Sequence, residues 1–88
     1  MSTILDQKIT VTDAEKTTLK RMKKMKSVEL HTFLYPKPGE ATYAIWIELM
    51  PGSGEHLQDR EKYSKLGALF MAEGMQKNGR LPQIKLWE

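Results

Sequence analysis

The sequence predicts an α+β domain: a small, mostly antiparallel sheet of three or four strands with two helices on one face. Three observations carry that expectation. Apolar residues recur at helical spacing in two stretches and with a period of two in others, and Gly/Pro-rich punctuation separates these stretches. A chain of 88 residues holds one domain, 1–88, because two would each be too short to bury a core of their own.

Residues 4–11 open the chain as a candidate strand, with Leu5, Ile9 and Val11 facing inward. Asp6, Gln7 and Lys8 make it a poor central strand, since a doubly covered strand is almost continuously apolar. Thr12 and Glu15 then form a capping-box pattern, in which each side chain satisfies the other's free backbone N–H. The helix that follows spans 13–26, a stretch free of Gly and Pro. Ala14, Thr18, Leu19, Met22 and Met25 gather on one side of it, and Lys16, Lys20, Arg21, Lys23 and Lys24 on the other.

Residues 27–35 alternate Val28, Leu30, Thr32 and Leu34 against Glu29, His31, Phe33 and Tyr35, which reads as a strand. Pro36-Lys-Pro-Gly-Glu40 supplies turn chemistry. Residues 41–50 alternate again, with Tyr43, Ile45, Ile47 and Leu49 inward and Thr42, Ala44, Trp46 and Glu48 outward. Two strands around so short a loop predict a hairpin. Its expected register opposes Leu30 to Ile47 and Thr32 to Ile45, and on the outer face His31 to Trp46, Phe33 to Ala44 and Tyr35 to Thr42. That register also opposes Glu29 to Glu48, a like-charge pair that counts against it.

Pro51-Gly-Ser-Gly54 ends the strand, and a second helix is expected over 55–77 with Asn78-Gly79 as its stop. Leu57, Tyr63, Leu66, Phe70, Met71 and Met75 form its apolar face, while Leu69 is expected to be exposed. Gly67 and Gly74 lie on the apolar face, where each costs about 1 kcal/mol against Ala, so a close approach by a neighbouring element is anticipated. A last short strand over 81–88 turns Ile84 and Leu86 one way, Lys85 and Trp87 the other. The order is β-α-β-β-α-β, the ferredoxin-like split βαβ order, which is favoured, or α-β-β-α-β without the first strand.

The expected core face of the sheet is Val28, Leu30, Leu34, Tyr43, Ile45, Ile47, Leu49, Ile84 and Leu86. The other face, with His31, Phe33, Tyr35 and Trp46, has three readings: a homodimer interface, a platform on which unpaired bases stack, or a surface covered by a partner protein or by an extra segment packing there. The third strand lacks the basic-Gly-aromatic pattern of RNA-recognition modules.

Composition bounds the chemistry. With no cysteine there is no disulfide, thiolate metal site or cysteine nucleophile, and a cytoplasmic protein is expected. The start, Met1-Ser-Thr-Ile-Leu-Asp6, lacks the pattern of a signal peptide, and no membrane span is expected. Residues 1–27 hold seven Lys/Arg against three acids, and residues 28–88 hold seven against eight, so the net charge of +3 originates at the N-terminal end. A solvated face is the ordinary meaning of such a charge run, and a phosphate-tracking surface is the functional one. His31 and His56 are the two histidines and sit on separate elements, so no metal, cofactor or catalytic site is expected. Gly52-Ser-Gly54 lacks the Lys-Ser/Thr of a P-loop and reads as a turn.

The function expected on these grounds is a small, non-enzymatic, dimeric binding protein that contacts nucleic acid through Lys16, Lys20, Arg21, Lys23 and Lys24, with mostly phosphate contacts and little sequence preference. The alternative is a regulator or inhibitor, such as one encoded by a mobile element, that occludes a target protein through His31, Phe33, Tyr35, Trp46 or Leu69.

Overall fold

A computed structural model describes residues 9–50 and 52–87. It contains α1 (Asp13–Met22), α2 (Ser27–Leu34), β1 (Tyr43–Glu48), β2 (His56–Gln58), α3 (Lys65–Lys77) and β3 (Pro82–Leu86). The class is α+β, with one antiparallel sheet in the order β2-β1-β3. The candidate strand 4–11 lies mostly outside the described residues, and Ile9, Thr10 and Val11 carry no strand.

The capping box forms: Thr12 N–H donates to Glu15 Oε1 at 2.9 Å and Glu15 N–H to Thr12 Oγ1 at 3.1 Å. The helix ends sooner than its composition suggested. After Met22 the bonds Lys24 N–H to Arg21 O and Met25 N–H to Met22 O tighten the chain into three-residue turns.

The expected strand over 27–35 is instead helix α2, Ser27–Leu34, with Tyr35 as its C-cap. Alternation and helical spacing share residues here: Leu30, Phe33 and Leu34 stand at i, i+3 and i+4, and as a helix all three pack against the core. Val28, assigned inward by the strand reading, is 85% exposed. Packing has overridden β-propensity. The helix stops where Pro36 forces its predecessor out of the α region, and Tyr35 is extended (φ −115°, ψ 149°).

The hairpin is therefore built from other strands. Gly52, Ser53 and Gly54 lie in its turn, with positive φ at Gly52 (79°) and Gly54 (76°) and a bond from Leu49 N–H to Glu55 O. Ile47 pairs with Leu57 on one side and Pro82 on the other, and Trp46 with Gln58 and Gln83. The pairings of Leu30 with Ile47 and of His31 with Trp46 do not exist. What was expected to be the start of a long second helix, 55–58, is mostly β2, and α3 begins at Lys65. Between them Tyr63 returns to β1 and exchanges two backbone bonds with Tyr43, at 2.8 and 3.0 Å.

Ser64 joins two helices. Its hydroxyl accepts the Gly67 N–H as N-cap of α3 and donates to Phe33 O, while its N–H donates to Leu34 O. The Phe33 and Leu34 carbonyls at the end of α2 are thus satisfied by Ser64, the N-cap of α3. Gly67 is the position that permits this contact, since a Cβ there would collide with the carbonyl of Leu34. The stop of α3 is as expected: Gly79 (φ 83°) sends its N–H to Gln76 O and Arg80 sends its N–H to Met75 O, a Schellman ending.

Helix α3 lies on β1 and β3, and α1 and α2 pack on α3, so three helices rather than two share the core side. The core joins Leu19 and Met22 of α1, Ile45, Tyr63, Ala68, Leu69, Ala72 and Ile84. Tyr43, Ile45, Ile47 and Ile84 face inward as expected, whereas Leu49 and Leu86 are exposed.

Candidate nucleic-acid interface

Helix α1 turns Leu19 and Met22 into the core, and its geometry then fixes where the charges go. Lys16, Lys20, Arg21, Lys23 and Lys24 are all exposed. Lys16, Lys20 and Lys24 are spaced four apart and form one stripe along the helix and its terminal turn. Lys23 is engaged, donating to Glu73 of α3 at 3.0 Å. The same helix buries part of its acidity on its own flank: Glu15 is bound by the Thr12 N–H and by Lys65 at 3.1 Å. The Thr12 backbone bond, against some burial and assisted by Lys65, holds the Glu15 carboxyl below its ordinary pKa. Beside Lys23, a groove of about 330 Å³ runs over Phe70, Met71, Gly74 and Met75.

The aromatic residues are redistributed. His31, Phe33 and Tyr35 do not lie on the sheet. His31 is exposed on α2 and meets the edge of Tyr35 at 4.8 Å, Tyr35 stacks on Tyr63 at 6.0 Å, and Phe33 packs against the core. Leu69, expected to be exposed, is 2% exposed and belongs to the core, where no partner can reach it. Burial, reinforced by a hydrogen bond to Asp59 at 3.0 Å, pushes the Tyr63 hydroxyl pKa upward.

Trp46 does face away from the helices, and it has company that the proposed hairpin had hidden. Lys85 pairs with Ala44 across β1 and β3, and Trp87 sends its N–H to Thr42 O. Thr42, Ala44 and Trp46 therefore share the outer face with Gln83, Lys85 and Trp87. Lys85 Nζ lies 5.5 Å from the Trp46 ring centre and Lys62 Nζ lies 5.2 Å from that of Trp87. The alternation of 81–88 already separated Lys85 and Trp87 from Ile84. Lys62 and Gln58 were obscured because they fell inside an expected helix.

Among the described residues no group of three or more His, Cys, Asp or Glu is arranged to hold a metal ion, and no helix is long and apolar enough to cross a membrane. His56 approaches Glu48 at 3.8 Å near the hairpin turn. No protein-family model matches the sequence, and no curated protein or solved structure shows significant similarity to it.

Proposed function

We propose that this chain is a small, non-enzymatic binding protein that contacts nucleic acid through the basic face of α1. The reading is carried by one observation: the stripe Lys16, Lys20 and Lys24, with Arg21 beside it, is exposed on the side of α1 away from its buried Leu19 and Met22. Cations so arranged follow a phosphate backbone, release its counterions, and read little of the sequence. Of the five cations, Lys23 alone is ion-paired among the described residues, which leaves four for phosphate.

Binding of a long single strand is expected to weaken steeply with salt. Changing Lys16, Lys20 and Lys24 to Gln should reduce the slope of log affinity against log salt by about 2, from about 0.7 per phosphate contact. The three side chains are exposed, so the variant keeps its fold. An unchanged slope in the folded variant refutes the α1 reading.

A regulator that occludes a target protein is the second reading, and one observation favours it. Leu49, Met50 and Leu57 are exposed together around the β1–β2 turn, where Ile47, Leu49, Leu57 and Arg80 enclose a recess of about 300 Å³.

A further inference from the structure

We infer that the outer face of the sheet is a second nucleic-acid contact, in which Trp46 and Trp87 stack on unpaired bases of a single strand while Lys62 and Lys85 meet its phosphates. The inference rests on the nucleic-acid reading above and extends it to a different surface and a different part of the ligand.

The geometry begins with strand register. Ala44 pairs with Lys85, Trp46 lies one outer-face step beyond that pair, and Trp87, bonded through its N–H to Thr42, lies one step the other way. The two tryptophans are therefore four residues apart along the strand direction, roughly 13 Å at about 3.3 Å per residue. Between them lies Ala44, 1% exposed because the side chains around it cover it. The resulting slot has a volume of about 340 Å³ and includes Gln58 and Lys85 in its walls.

The chemistry of the walls selects the occupant. Indole faces attract any planar base without regard to sequence, and two ammonium groups beside them supply the charge that a phosphodiester needs. Gln58, opposite Trp46 on β2, offers an amide that both donates and accepts, as base edges do. Among the described residues no carboxylate lines the slot. Each lysine at present lies over a ring. An exposed ammonium–ring contact is weaker than a base–ring stack, so an arriving base displaces the lysine, whose long chain keeps the charge within reach of the adjoining phosphate. Duplex DNA or RNA does not fit, because its bases present no free face.

The slot and the α1 stripe lie on opposite sides of the β-layer, since α1 packs on α3 and α3 covers the inner face. A short oligonucleotide therefore reaches one surface at a time, and the two readings can fail separately.

Trp46 and Trp87 are the two tryptophans of the chain, so intrinsic fluorescence reports the slot directly. Titration with an eight-nucleotide oligo-dT should quench it saturably. Trp46→Ala and Trp87→Ala should each weaken binding on the order of 10-fold, the loss expected for one base stack. Trp46→Phe should retain most of the affinity, and Lys85→Gln should lower it without affecting the fold. Circular dichroism confirms that each variant is folded. Should Trp46→Ala fail to fold, Trp87→Ala and Lys85→Gln carry the test.

Three results overturn the inference. They are unchanged affinity in the folded tryptophan variants, equal quenching by a long two-stranded duplex without loops or overhangs, and equal quenching by thymidine monophosphate at the same concentration, which would assign the slot to a free nucleotide. If a long duplex binds with an α1-dependent salt slope while the oligo-dT leaves the fluorescence unchanged, the slot falls and the α1 reading stands. If the oligo-dT quenches and the Lys16/Lys20/Lys24→Gln protein binds long strands as before, the α1 reading falls and the slot stands.

Discussion

Glu15 holds three things together at once: the free N–H at the start of α1, the Thr12 side of the capping box, and Lys65 at the start of α3. All three favour its charged form, and its pKa in the folded protein is lowered relative to the unfolded chain. The unfolded state therefore binds the proton more readily. The stabilisation from Glu15 is fully present above the ordinary glutamate value of about 4.3 and is lost as pH falls through the lower folded value. Glu15→Gln should lower the melting temperature at pH 7 and lower it much less at pH 3. An equal loss at both pH values would show that the carboxylate charge contributes nothing. Ser64 is the corresponding residue for α2 and α3, and Ser64→Ala should cost about 1–2 kcal/mol in a denaturant titration, because it removes a helix cap and strands the Phe33 carbonyl.

At the scale of elements, the contact between α2 and α3 separates two glycines that look alike in the sequence. Gly67 and Gly74 both fall within α3 at sevenfold spacing. Gly67 faces the Leu34 backbone, and Gly74 has open space where a Cβ would go. Gly67→Ala should destabilise by about 1–3 kcal/mol through overpacking. Gly74→Ala should stabilise by about 0.5–1 kcal/mol, because it removes the helix penalty of glycine without a clash. Thermal unfolding of the two variants should move in opposite directions. A stabilised Gly67→Ala protein would mean that α2 does not sit on α3 as described. The same contact explains why α2 is a helix at all. As a strand, residues 27–35 would bury Val28 and expose Phe33, whereas as a helix they expose Val28 and place Leu30, Phe33 and Leu34 together on the core.

For the molecule as a whole, a chain of 88 residues is stable by about 4–13 kcal/mol at typical values per residue. Met22 and Leu69 are among its largest fully buried side chains. Met22→Ala should cost about 2–5 kcal/mol, a large part of the total, and should bring the denaturation midpoint down sharply. Leu69→Asp puts an unpaired charge in the core and should prevent folding, so its effect on any partner would report unfolding rather than a lost contact. A folded Leu69→Asp protein that loses only a binding activity would return Leu69 to the surface. The lysines of the α1 stripe and Lys85, by contrast, are exposed, so their variants test binding without testing the fold, whereas Trp46 and Trp87 are half-buried.

The α+β class, the capped basic helix, the inward row Tyr43, Ile45 and Ile47, the outward Trp46 and the Asn78-Gly79 stop were all legible in the residues, because each rests on local periodicity or on local capping chemistry. The same periodicity was silent, or misleading, wherever one stretch satisfied two periods. Residues 27–35 satisfy both, and only the docking of Leu30, Phe33 and Leu34 against α3 selects the helix. Once that stretch left the sheet, Trp46 lost His31 as its neighbour and gained Lys85 and Trp87, residues about forty positions away. Local sequence thus decided which side chains could bear charge or a ring. Which of them stand together was decided by strand pairing, because register links residues that no local period connects.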